Sequence, residues 1–125
     1  MRDIISTDDA PKAIGPYSQA IRANGFVFVS GQVAIDPSTQ QVITGDVAAQ
    51  TEQVLRNLSE ILEAAESGLG KVVRSTVFLK NMSDFAAMNE IYARYFSVAP
   101  PARSTVEVAR LPKDALIEME VIATV

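Results

Sequence analysis

The sequence predicts an α+β fold, a sheet carrying helices on one of its faces. Three observations predict it: an Asn24-Gly25 pair between two apolar runs, a stretch from Val47 with helical spacing, and an alternating run at 72–79 followed by a second helical stretch and two extended segments. The order read along the chain is strand, strand, helix, strand, helix, strand, strand. Helices interleaved with strands in this way cover one side of a sheet. At 125 residues and 48% hydrophobic composition the chain can bury one core, and residues 1–125 read as a single domain.

Each element has a local reason. Asn-Gly accepts the positive backbone angles of a tight hairpin, so residues 17–23 and 26–35 read as paired strands. The apolar run Phe26-Val27-Phe28-Val29 predicts cover on both faces, and Asp36-Pro37-Ser38-Thr39 predicts a second turn. Val47, Thr51, Val54, Leu55, Leu58, Ile61, Leu62 and Ala65 recur at helical spacing, with Asp46 placed to cap the start and Gly68 to permit the stop. In the strand Val72 to Leu79, Val73, Ser75, Val77 and Leu79 share one side, and Arg74, Thr76, Phe78 and Lys80 the other. Ser83 or Asp84 can cap a second helix whose stripe of Phe85, Met88, Tyr92, Tyr95 and Phe96 reads as core packing. Pro100-Pro101 ends that helix and forces an extended approach into residues 103–110, and the last strand is expected over 115–125.

Composition excludes several kinds of chemistry. The 15 acidic and 11 basic residues give a net charge of -4 with no long block of either sign, which offers little grip on nucleic-acid phosphates. With no cysteine and no histidine there are no thiolate nucleophiles, no Ser-His pairs and none of the usual nitrogen or sulfur ligands for zinc. No metal site of that kind is expected. The first residues lack the pattern of an export peptide and no run is apolar enough to cross a bilayer, so no membrane role and a cytoplasmic location are expected. A sheet with helices on one side leaves its other apolar side uncovered, and self-association is the expected remedy.

The charges near the C-terminus need explaining. Arg103 stands at the start of a strand, and Glu118 and Glu120 lie within the apolar run Leu116 to Ile122, where charge is costly unless it meets a partner or a ligand. Arg103 has a planar fork of donors suited to a carboxylate, but an ion pair with Glu107 or Glu120 would also satisfy it. Glu118 and Glu120 share a strand face, and a solvated edge strand explains both carboxylates without any site and, on the residues alone, slightly better than a site does. The residues alone leave these readings open.

The segments Ile14-Gly15-Pro16-Tyr17-Ser18-Gln19-Ala20, Ser30-Gly31-Gln32 and Asn89-Glu90-Ile91-Tyr92, with the long run from Pro101 to Glu120, together resemble the RidA/YjgF family of enamine/imine deaminases over essentially the whole chain. The resemblance implies a chorismate-mutase-like α+β fold, a mixed sheet covered on one face by two helices, assembled as a homotrimer with sites between subunits. It implies hydrolysis of reactive 2-enamino or 2-imino acids, such as 2-aminoacrylate or 2-aminocrotonate, to 2-oxo acids and ammonium without a cofactor. Arg103 matches the family's carboxylate-binding arginine and Glu118 its water-positioning acid. Tyr17, Ser30, Gly31, Asn89 and Thr105 match residues that shape or contact the ligand cleft, while Glu120 is assigned a structural hydrogen bond or ion pair. Thr105 stands where some members carry cysteine, which affects pocket polarity more than reaction class. A trimeric module that binds small acids without transforming them is the main alternative, and RNA cleavage, attributed to some relatives, is a weaker one.

Overall fold

A computed structural model describes residues 2–125. Its main sheet has six strands: β1 (Arg2–Ile5), β2 (Ala20–Ala23), β3 (Phe26–Gln32), β6 (Val72–Leu79), β7 (Ala102–Glu107) and β8 (Ile117–Thr124). They lie side by side in the order β1-β2-β3-β8-β6-β7, and β4 (Ile35–Asp36) and β5 (Gln41–Val42) form a separate small hairpin. Only β6 and β7 run parallel, so the sheet is mixed. Two parallel neighbours require a crossover, and α2 (Phe85–Tyr95) supplies it.

Helix α1 (Val47–Ala64) forms because its apolar positions fall on one stripe and both ends are capped. Asp46 Oδ1 accepts a hydrogen bond from the Ala49 N–H at 3.0 Å. At the other end Ser67 N–H donates to Leu62 O and Glu66 N–H to Glu63 O, with Glu66 itself left-handed at φ 63°. The helix therefore stops on Glu66 rather than on Gly68, whose backbone is extended. Val54, Leu55, Leu58, Ile61 and Leu62 are fully buried against Val27, Val77, Met119 and Ala123 of the sheet. Each such leucine or isoleucine contributes about 1.5–3 kcal/mol, and Leu58→Ala would cost roughly 2–5 kcal/mol.

Both helices pack on one face of the sheet, as the alternation predicts. The other face is only partly covered within the chain. Phe26 and Phe28 are 41% and 46% exposed while their neighbours Val27 and Val29 are buried, so within one chain the run 26–29 is covered on the helix face alone. A register shift between Val72 and Arg74 also moves Val73 out of the side it was expected to share with Ser75, Val77 and Leu79, and Val73 is exposed.

Other expectations are corrected in detail. The first hairpin strand begins at Ala20 rather than Tyr17, and β1 pairs with it although its charged start carries no alternating pattern. The turn at 36–39 closes the β4-β5 hairpin, where Asp36 Oδ1 accepts from Ser38. Strand β7 ends at Glu107, short of Arg110, and β8 spans Ile117–Thr124 rather than 115–125. Asp84 precedes α2 without a side-chain capping bond, because a 3-10 turn at Met82–Asp84 leads into the helix instead. Among the described residues no helix is long and apolar enough to cross a membrane.

Candidate functional site

Pro100 and Pro101 deliver the chain to the edge strand β7, where Arg103 is the direct partner of Ser75 on β6. Ser75 faces the helices, and paired residues share a face, so Arg103 points toward α2. There its Nη1 donates to Asn89 Oδ1 at 2.7 Å. Its Cζ lies 4.6 Å from the centre of the Tyr92 ring and 5.5 Å from that of Phe85. The ion pair anticipated with Glu107 or Glu120 is absent: among the described residues no carboxylate lies within salt-bridge distance of Arg103. Glu107 instead accepts from the Met82 N–H at 2.7 Å. Beside the guanidinium opens a hollow of about 410 Å³, walled by Asn89, Tyr92, Phe96, Pro100 and Pro101.

Thr105 lies two residues further along the same face of β7. Its Oγ1 is buried and has no hydrogen-bond partner among the described residues. A buried polar atom left unsatisfied costs about 1–3 kcal/mol, which a ligand or a neighbouring chain would recover.

The second group of residues is built around a break in the β3-β8 ladder. Val29 pairs with Val121 and the ladder resumes at Gln32 with Met119, so β3 carries one extra residue and bulges at Ser30-Gly31. Glu118 fills the space over Gly31, where a Cβ would lie 2.5 Å from Glu118 Oε2. Glu118 alternates with the buried Met119 and pairs with Phe78, which places it on the face away from the helices. Burial pushes its carboxyl above the ordinary carboxylate range, and the charge of Glu120 adds to the shift. Glu120 is exposed and, among the described residues, has neither the ion pair nor the hydrogen bond assigned to it.

Ser30 Oγ donates to the Ser18 carbonyl at 2.6 Å, tying the bulge to the loop that carries Tyr17. Tyr17 is 53% exposed, and its hydroxyl accepts from the Ile14 N–H at 3.3 Å. It lines a second hollow of about 510 Å³ with Lys12, Ile14, Ile35, Gln40 and Lys113.

The chain therefore brings Asn89, Arg103 and Thr105 together on one face and Ser30, Gly31 and Glu118 together at the bulge, with Tyr17 beside the second group. It does not bring the two groups to each other, since Arg103 and Glu118 project from opposite faces of the sheet. The sequence assigns Phe85 and Tyr92 to core packing, which holds for Tyr92, buried within the core, but this reading misses that both rings flank Arg103. Phe85 is 37% exposed. The signal was available in their spacing from Asn89, because positions 85, 89 and 92 of a helix fall on one face.

A small mixed sheet under two helices, with an arginine clustered on one face and a shielded carboxylate on the other, defines the class of protein. Residues 7–125 match the family described as Endoribonuclease L-PSP, and the chain belongs to this family, also called RidA/YjgF. It is 57% identical over 123 residues to the RutC family protein PH0854 of Pyrococcus horikoshii, covering 98% of each chain. It is 47% identical to the mouse protein named 2-iminobutanoate/2-iminopropanoate deaminase, over 98% of this chain and 91% of the mouse one. The crystal structure of the YjgF gene product of Escherichia coli superposes with a TM-score of 0.94 at 46% identity, covering 98% of both chains.

Proposed function

We propose that this protein hydrolyses reactive 2-enamino and 2-imino acids to 2-oxo acids and ammonium, the activity for which its mouse relative is named. The observation that carries this reading is Arg103, a partly buried guanidinium held by Asn89 and two aromatic rings, with no carboxylate within salt-bridge distance among the described residues. Such a group is a receptor for an external carboxylate. The substrate offers a planar carboxylate beside a C=N carbon, and its protonated imine is already electrophilic. Arg103 holds the carboxylate, the Gly31 carbonyl accepts from the imine N–H, and Glu118 orients a water toward the imine carbon. Water adds across the C=N bond to give a carbinolamine, and loss of ammonia leaves the ketone; Glu118 or water carries the proton. The raised basicity of the half-buried Glu118 suits it to accept that proton.

The two halves of this machinery lie on opposite faces of one sheet, so a complete site is formed when Arg103 of one copy meets Glu118 of another. The exposed Phe26, Phe28, Val73 and Val106 supply apolar surface for such an assembly, and a closed trimer gives three equal clefts. Short-lived imines generated by an amino-acid oxidase or a dehydratase test the activity directly. Protein-dependent acceleration of 2-oxo acid or ammonium release is expected. Saturable binding of a 2-oxo acid without any acceleration would favour a small-acid-binding module instead.

A further inference from the structure

Tyr92 has the spacing of a packing residue, yet it carries a hydroxyl into the core. That hydroxyl lies 2.6 Å from Ser75 Oγ, and Ser75 and Tyr92 are 0% and 5% exposed. Two buried hydroxyls that satisfy each other offer no advantage in packing over alanine and phenylalanine, which would fill the same space without any polar group to satisfy. Their distinctive property is direction. Ser75 is the register partner of Arg103, so the backbone pairing of β6 and β7 fixes the serine beside the arginine. The hydroxyl bond then fixes the far end of the Tyr92 ring to the serine, and the Arg103 guanidinium lies against that ring at 4.6 Å. Phe96 packs on Tyr92 with ring centres 4.5 Å apart and restricts it further.

We propose that Ser75 and Tyr92 are positioning residues for Arg103, a buried hydroxyl pair that sets the aromatic plane on which the substrate-binding guanidinium rests. This role rests on the reading of Arg103 as the carboxylate receptor. A long, flexible side chain normally loses rotamer freedom when it binds its ligand, and here that freedom is lost on folding, before the ligand arrives. Asn89 occupies one donor and leaves the rest of the fork for a carboxylate.

Two readouts test the role, the first independent of turnover. In protein labelled with ¹⁵N-arginine, the Arg103 Nε–Hε resonance, assigned by its loss in Arg103→Lys, carries the ring-current shift of the aromatic faces. Ser75→Ala and Tyr92→Phe should each move it toward the position of a free arginine. Each should also raise KM for an imino acid roughly threefold to tenfold with kcat little changed. The double variant should cost no more than either single one, and Ser75→Ala should cost nothing further when added to Arg103→Ala. An unmoved resonance in both variants overturns the placement whatever the activity. A moved resonance with unchanged KM, or an equal Ser75→Ala loss with and without Arg103, overturns the role in recognition. A wild-type protein without imine turnover rejects the deaminase reading instead, and the resonance then decides the placement of Arg103 alone.

Discussion

The Glu118 carboxylate occupies the space that a side chain on Gly31 would need: a Cβ there would stand 2.5 Å from Oε2 and 3.0 Å from the carboxyl carbon. The β3 bulge and the β8 carboxylate are thus fitted to each other, and one methyl group is enough to separate them. Gly31→Ala should fold, because the group that must yield is the end of a flexible side chain, with thermal stability changed by less than about 1 kcal/mol. Imine hydrolysis should fall on the order of tenfold to a hundredfold, the usual consequence of moving a reacting group by an ångström. A melting curve and a steady-state assay on the same preparation check both halves.

Glu118 should cost stability at neutral pH. Its folded-state pKa is raised, so the folded protein holds the proton more tightly than the unfolded chain. Stability then falls as pH rises from the ordinary carboxylate range through the folded pKa, and remains lower above it. Glu118→Gln removes this loss. Compared as dissociated chains, with no partner's Arg103 facing the carboxylate, the variant should melt higher than the wild type at neutral pH and the gap should close below the ordinary carboxylate range, while activity of the assembled variant should be largely lost. Melting curves across a pH series measure the gap.

Glu120 acts on the same group through its charge. If ionised Glu118 orients the water, the rate falls as pH drops through the Glu118 pKa. Glu120→Gln removes a like charge, lowers that pKa and should shift this acid limb to lower pH. The pH dependence of kcat/KM, compared between wild type and variant, reads the direction of the shift.

Arg103→Ala should raise KM for carboxylated imines far more than it lowers stability, since the side chain sits on an edge strand and forms no ion pair within the chain among the described residues. Arg103→Lys keeps the charge and loses the fork, and should recover part of the affinity but not all of it. Binding of a 2-oxo acid by calorimetry ranks the three proteins.

The parts of the fold that local chemistry controls were legible in the sequence. The α1 stripe was visible because helical periodicity and burial coincide from Val47 to Leu62, and Asp46 announced the start of the helix. Strand β1 was not, because it owes its place to pairing with β2 rather than to any pattern of its own. The stop at Glu66 was misplaced to Gly68 because backbone hydrogen bonds, rather than the most permissive residue, close the helix. For the candidate site, the motifs pointed to Arg103, Asn89, Gly31 and Glu118 as single residues. They did not reveal that Arg103 would rest on Tyr92 and Phe85, or that Glu118 would face the other way, since both depend on strand register across long stretches of chain.

A complementation experiment tests the central claim, that a working cleft takes Arg103 from one copy and Glu118 from another. Arg103→Ala and Glu118→Gln proteins, each nearly inactive alone at substrate concentrations far below the raised KM of Arg103→Ala, are unfolded together, refolded at equal concentrations and assayed under those conditions for imine hydrolysis after light scattering and mass spectrometry confirm mixed assemblies. Random mixing leaves half of the arginine sides and half of the glutamate sides intact, so the account predicts recovery on the order of a quarter of the wild-type rate. Mixed assemblies as inactive as their parents would contradict it, and would return both residues to a site within one chain.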